Sequence, residues 1–270
     1  MENISGPSGV KQIVFCKCGG ERIDAALLRD VDEYLTGVGA KVTRLSDLCG
    51  ISAKRKDKLA GLFSEGSDFL VVGCHRRSMD ILFKQTLIQN NPLPEFRHLD
   101  LIDASFHEVA GKINEFCGDS KQINQFAEIA EDPGWPSWYP LIDYSRCTSC
   151  GQCADFCLFG VYSKEDGRVL VANPEGCKNN CPACARICPA TALIFPKYRH
   201  GGAIGGSDEI DEQAEHRRQA QDIEDFLGND IYEALQRRKM KRQSIIKDEA
   251  MKKALSERDM ARNGSISNQE

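Results

Sequence analysis

At 270 residues, with 41% hydrophobic and 28% charged positions and a formal net charge of −5, the chain has the composition of an ordinary globular protein of one large or two modest domains. Collagenous and wholly disordered classes are thereby excluded, and a negative balance argues against nucleic-acid phosphate as a partner. No apolar run nears the roughly 20 residues a bilayer span needs. Residues 1–9 carry no apolar targeting core, so the expectation is a cytoplasmic chain without a membrane span. The unusual number is 13 cysteines. In a reducing compartment, clustered cysteines hold metal or do redox chemistry more often than they pair as disulfides.

Residues 1–117 alternate between strand and helix signals. Apolar strands are expected at 12–15, 41–45, 68–72 and 96–102, and helices at 23–35, 56–64, 78–89 and 106–116. That alternation implies βαβ units and an α/β domain with a parallel sheet covered on both faces, a three-layer architecture. Cys16 and Cys18 follow the first strand, Cys49 follows the second by four residues, and Cys74 follows the third by two. Strand ends of one sense lie on one edge of an open parallel sheet, where such folds bind ligands. Four thiols distant in sequence therefore converge on one rim. They suit a [4Fe-4S] cluster, with one zinc, a redox dithiol at Cys16-Lys17-Cys18, or plain buried thiols as alternatives.

The segments Ile13-Val-Phe-Cys16-Lys-Cys18-Gly-Gly20, Asp47-Leu-Cys49 and Phe69-Leu-Val-Val-Gly-Cys74-His-Arg-Arg-Ser78 resemble the N-terminal domain of the A subunit of heterodisulfide reductase, over about residues 11–117. The resemblance implies a cluster in this domain, beside a flavin-bearing domain and ferredoxin modules. No G-x-G-x-x-G follows any expected strand, so no flavin is expected in this chain and flavin-based electron bifurcation is not expected of it alone. Arg76 and Arg77, with the first-turn N–H groups, would favour negative charge at a nearby cluster, or else meet solvent or a partner. His75 reads as a residue supporting the site rather than a ligand. Gly19 and Gly20 permit close approach to a bulky cofactor or simply turn the chain.

Residues 118–141 read as a linker, because three prolines within 132–140 fix φ and exclude regular helix, with Trp135 and Trp138 covering one module with the other. The run Cys147-Thr-Ser-Cys150-Gly-Gln-Cys153-Ala-Asp-Phe-Cys157 then has the spacing C-x2-C-x2-C-x3-C, which curls three thiolates around one corner of a cubane. A second run follows, Cys177-Lys-Asn-Asn-Cys181-Pro-Ala-Cys184-Ala-Arg-Ile-Cys188. Structural zinc commonly uses two separated pairs of cysteines, whereas triplets plus one suit two cubanes. Between the runs, residues 160–171 read as a hairpin turning at Asp166-Gly167.

Residues 142–198 resemble the bacterial-type ferredoxin with two [4Fe-4S] clusters, an α+β dicluster module. By that resemblance Cys147, Cys150, Cys153 and Cys188 hold one cluster, and Cys157, Cys177, Cys181 and Cys184 hold the other. Two departures stand out: Leu158 replaces the usual proline after the fourth cysteine, and three residues rather than two precede Cys181.

From Gly201 the composition changes. Residues 201–206 read as a flexible joint, and 199–270 as a charged helical tail. Ile223, Phe226, Leu227, Ile231, Ala234 and Leu235 fall on one helical face. Ten acids stand against two arginines in 207–235, and ten bases against four acids in 237–262. A tail with one apolar stripe and segregated charge is expected to pack on a partner subunit or a second copy rather than on nucleic acid, since the basic stretch 237–242 lacks aromatic interleaving.

The expected function is electron transfer. Two [4Fe-4S] clusters, and a third at the N-terminal cysteines, would relay low-potential electrons between a donor and a catalytic partner of a redox complex. No catalytic residue is assigned. The alternative is an oxidoreductase with a substrate-binding metal or thiol in the N-terminal domain; a fourth thiolate there would leave no open iron.

Overall fold

Strand β1 (Lys11–Cys16) is the centre around which the chain is wound. β2 (Lys41–Leu45) pairs with it on one side and β3 (Asp68–Gly73) on the other, both in parallel. β4 (Arg97–Asp100) extends the sheet beyond β3. The computed structural model describes residues 10–18, 20, 22–59, 61–63, 66–87, 93–118, 125–130, 134–227 and 256.

Burial explains the strand sequences. Five of the six residues in β1 and in β3 are buried, so both strands read as continuous apolar runs, as parallel strands covered on both faces must. The two faces carry separate cores. Ile13, Phe15, Val42 and Val72 meet α1 (Ala25–Tyr34) and α4 (Phe106–Cys117) through Leu27, Val31, Val109 and Ile113. Val14, Cys16, Phe69 and Val71 meet α2 (Leu48–Lys54) and α3 (Arg76–Leu87) through Leu48, Ile51, Met79 and Leu82. α1 starts where the Asp24 side chain accepts from the Ala26 N–H at 2.7 Å. α4 starts in a reciprocal capping box between Ser105 and Glu108.

Three expectations change. The helix expected at 56–64 is only a short 3-10 turn at Lys56–Leu59, and the α-helix lies earlier, at Leu48–Lys54. Cys49 therefore sits in the first turn of a helix, not in a loop. The segment 118–141 is more than a linker: β5 (Phe126–Ile129) completes the sheet beside β2, pairing Val42 with Phe126 and Leu45 with Ile129, in the order β4-β3-β1-β2-β5. It escapes notice because it is an exposed edge strand with no buried face, its Phe126 ring lying 5.0 Å under the Arg44 guanidinium. Finally, residues 201–206 are no flexible joint. Ala203 and Ile204 are buried and the Ile204 carbonyl accepts from the Phe195 N–H at 2.7 Å.

The cysteine-rich module is small. β6 (Leu141–Ile142) pairs antiparallel with β9 (Leu193–Ile194), and β7 (Tyr162–Glu165) with β8 (Arg168–Val171). The hairpin turns at Asp166 (φ 48°) and Gly167 (φ 74°), the pair of positive φ values that matches strand twist, as expected. Short helices α5 (Gln152–Phe156) and α6 (Ala183–Arg186) carry one cysteine each, Cys153 and Cys184, and the other six lie in the segments around them. Trp138 stacks on Phe195 at 5.0 Å over a core of Ile142, Val169 and Leu193.

This module packs directly on the sheet domain, and residues up to His216 form one compact unit. Tyr139, Leu141 and Ile194 join the same apolar cluster as Val14, Cys16 and Met79. Arg77 reaches across to Asp143 at 2.8 Å and to the Thr191 carbonyl at 2.9 Å. Helix α7 covers Glu212–Leu227. The stripe from Ile223 to Leu235 and the basic stretch 237–242 fall on side chains outside the described residues. Among the described residues no helix is long and apolar enough to cross a membrane.

Candidate metal centres

The first run of cysteines is shaped by two left-handed positions, Ser149 (φ 56°) and Gly151 (φ 79°), which fold the chain back between successive thiols. α5 then carries Cys153, and Cys188 arrives from beyond α6. Cys147, Cys150, Cys153 and Cys188 line a single cavity with Ile142 and Leu193 among its walls. Burial first, and then the charges of Cys188, Cys147 and Cys150, push the Cys153 thiol up to about 11. Backbone N–H groups of Ser149 and Ala192 point at the sulfurs of Cys147 and Cys188, at 3.4 and 3.3 Å. Cys150 is exposed, so this set opens to solvent on one side.

The second set gathers the remaining cysteines of the two runs. Burial, then Cys181 and Cys157, push Cys177 up to about 12; burial, and then the charges of Cys177, Cys153 and Cys157, do the same to Cys184. The Tyr162 hydroxyl donates to the Cys184 sulfur at 3.0 Å, and Trp138 Nε1 to the Cys181 carbonyl at 3.4 Å. Leu158, standing where the resemblance expects proline, is 91% exposed beside Cys157. α5, with Cys153, packs on α6, with Cys184, so the two sets are neighbours.

The N-terminal four also meet. Cys16 ends β1, Cys18 follows it, Cys49 lies in the first turn of α2, and Cys74 follows β3. The chain winds in opposite directions from β1 to β2 and from β1 to β3, so these cysteines sit at the topological switch point of the sheet. Cys16 is pushed up to about 12 by burial and then by the charge of Cys18. Cys49 and Cys74 are driven well upward, first by burial, then by Asp47 for Cys49 and by Cys16 and Cys18 for Cys74. The site lies under the cysteine-rich module, where Tyr139 donates its buried hydroxyl to the Cys49 carbonyl at 2.8 Å. Cys177 of the second set packs on the same apolar cluster as Cys18 and Cys74.

The donor chemistry of all three sets fits a metal centre. All thirteen cysteines are free, so no disulfide competes. Buried sulfurs that raise one another's thiol pKa would repel as thiolates, and cationic iron or zinc removes that repulsion. Four sulfurs alone suit either zinc or an iron–sulfur cluster.

The other expected residues separate. Gly19 lies outside the described residues. Gly20 (φ +57°) faces Lys197, whose Cα would lie 3.7 Å from a Cβ built there. His75 is committed on both nitrogens, Nδ1 to Asp100 at 2.7 Å and Nε2 to Arg22 at 2.9 Å. Arg76 turns away, its guanidinium 5.1 Å over the Phe96 ring, and Arg77 holds the cysteine-rich module instead of a cluster. The sequence alone assigns no role to two charged residues at the N-terminal site: Asp47, immediately before α2, and Lys197, nine residues past the last cysteine. Their side chains meet at 2.9 Å.

Residues 140–160 match the family described as a 4Fe-4S binding domain. This stretch contains Cys147, Cys150, Cys153 and Cys157. Over 61 residues the chain is 51% identical to an uncharacterized ferredoxin of Methanocaldococcus jannaschii, an alignment that covers 22% of this chain. The chain spans 42% of that relative's length. Iron–sulfur, rather than zinc, is thus the chemistry supported for the cysteine-rich module. These similarities support at least one iron–sulfur cluster.

Proposed function

We propose that the chain is a three-centre electron relay. Cys147, Cys150, Cys153 and Cys188 hold one [4Fe-4S] cluster, Cys157, Cys177, Cys181 and Cys184 a second, and Cys16, Cys18, Cys49 and Cys74 a third. The observation that carries this reading is the single cavity lined by Cys147, Cys150, Cys153 and Cys188 in the stretch that begins with the 4Fe-4S match, supported by the gathering of Cys16, Cys18, Cys49 and Cys74 in one apolar cluster at the sheet edge.

The packing supplies an order. The N-terminal set shares an apolar cluster with Cys177 of the second set, and the second set adjoins the first through the packing of α5 on α6. The exposed Cys150 gives the line an end open to solvent. One electron enters for each that leaves, and the chain makes and breaks no covalent bond. The protein supplies thiolate ligands, hydrogen bonds to sulfur and burial, the quantities that set cluster potentials. Four thiols at the sheet edge, rather than three, favour a relay over a substrate-binding iron. Donor and acceptor are redox proteins of an oxidoreductase complex, with the C-terminal segment as the docking element, in keeping with the likeness of residues 11–117 to the heterodisulfide reductase A subunit.

Iron and acid-labile sulfide analysis with low-temperature EPR on anaerobically purified full-length chain tests this. Twelve irons are expected. Eight would confine the clusters to the cysteine-rich module, and zinc in place of iron and sulfide would overturn the reading.

A further inference from the structure

The N-terminal site is not built by its own domain alone. Lys197, from the cysteine-rich module, reaches the rim where Cys18 and Cys49 lie. Its ammonium donates to Asp47 Oδ2 at 2.9 Å and to the Pro136 carbonyl at 2.9 Å. The side chains of Lys197 and Asp47 are only 18% and 13% exposed, so water screens this pair little. Cys18 packs on the same apolar cluster as Cys49, which lies in the α2 that Asp47 immediately precedes. The second carboxylate oxygen, Asp47 Oδ1, is buried and has no partner. Asp47 therefore adds an incompletely neutralised negative charge to a site of four sulfurs, and among the described residues Lys197 is the cation that answers it.

We propose that Lys197 is a positioning residue of the N-terminal centre: held by Asp47, it raises that centre's reduction potential, so that the potential depends on the cysteine-rich module being docked. This rests on the three-centre reading above. A centre that gains an electron gains negative charge, which a nearby ammonium favours and a nearby carboxylate opposes. Lys197 and Asp47 consequently act in opposite directions on one centre.

The test is an EPR-monitored potentiometric titration of the anaerobic full-length chain, with iron counted for each variant. Lys197→Met, retaining twelve irons, is expected to lower one potential of three, changing the reduced-to-oxidised ratio at fixed potential at least tenfold, or about 59 mV for one electron. Asp47→Asn is expected to raise the same potential, Lys197→Arg to leave it near the parent value, and the Lys197→Met/Asp47→Asn pair to return toward it. Unchanged potentials in a twelve-iron Lys197→Met chain would overturn the proposal. Should Lys197→Met shed four irons, Asp47→Asn decides: a raised potential supports the proposal and an unchanged one overturns it. A parent chain with only eight irons would instead defeat the three-centre reading itself.

Discussion

Replacing Arg77 by methionine keeps an apolar stem of similar reach and deletes the strongest polar link between the sheet domain and the cysteine-rich module. The Arg77 and Asp143 side chains are 10% and 12% exposed and meet at 2.8 Å. A second guanidinium nitrogen donates to the Thr191 carbonyl at 2.9 Å, whereas the approach to the Ala203 carbonyl, at 3.4 Å, is too long to add much. A charge-assisted hydrogen bond contributes about 1.5–3 kcal/mol and a neutral one about 1. Stranding a buried carboxylate costs about 3–5 kcal/mol in all, reduced here because Asp143 keeps the Ser145 N–H and hydroxyl. The expected loss is about 3–4 kcal/mol. At about 2–4 °C per kcal/mol for a unit of this size, the unfolding midpoint falls by roughly 6–16 °C. Anaerobic thermal scans at one fixed rate, read by far-ultraviolet circular dichroism and visible absorbance, measure it. The pH dependence adds a signature. Burial pushes the Asp143 carboxyl upward, but its hydrogen bonds from Ser145 and Arg77 outweigh burial and hold it below the ordinary carboxylate range. Its contribution is therefore complete above the unfolded value of about 3.9 and lost as pH falls through the lower folded value. The gap between parent and variant should be constant from about pH 8 to 5 and narrow only below about pH 4. A fall of less than about 0.5 kcal/mol at pH 7, the range of an ordinary surface substitution, would refute the reasoning.

Tyr139→Phe leaves the Cys49 carbonyl without its buried 2.8 Å donor, and denaturant titration should show a loss of about 1–2 kcal/mol with the iron content unchanged. Ser105→Ala removes the capping box of α4 and should cost about 1 kcal/mol by the same assay, whereas Ser105→Gly should cost only a few tenths. Tyr162→Phe withdraws a hydroxyl donor from the Cys184 sulfur at 3.0 Å; on the three-centre reading the potential of the second set falls while the first set's holds, and movement of the first set alone would contradict the ligand grouping.

The cysteine runs were legible because their chemistry is local: spacings of two and three residues on short turns dictate where the sulfurs face, and the hairpin at Asp166-Gly167 is equally local. The βαβ alternation and the rim of Cys16, Cys18, Cys49 and Cys74 were legible too, since buried parallel strands are continuous apolar runs and topology places their ends together. What escaped depends on partners far along the chain. The Asp47–Lys197 contact joins residues 150 apart, and Tyr139 reaches Cys49 across 90. Residues 201–206 misled for another reason. Gly201, Gly202 and Gly206 use positive φ values to pack a tight loop, and a Cβ at Gly206 would collide with Ser78 Oγ, so those glycines reflect closeness rather than freedom. The helix at 48–54 was hidden by Gly50 in its interior, while the polar stretch after it imitated a helix that closes only one 3-10 turn.

Strand β5 has a practical bearing on how the chain can be dissected. It crosses back from beyond residue 117 to close the outer edge of β2. A fragment cut at residue 117, between the isolated cysteine and the ferredoxin-like run, would bare a parallel edge ready to pair with another chain, and would strip Tyr139, Leu141 and Ile194 from the apolar surface around Cys16. Gene fragments parsed by cysteine cluster would thus split a single sheet down its seam, and a sound piece for expression keeps the sheet domain and the cysteine-rich module together.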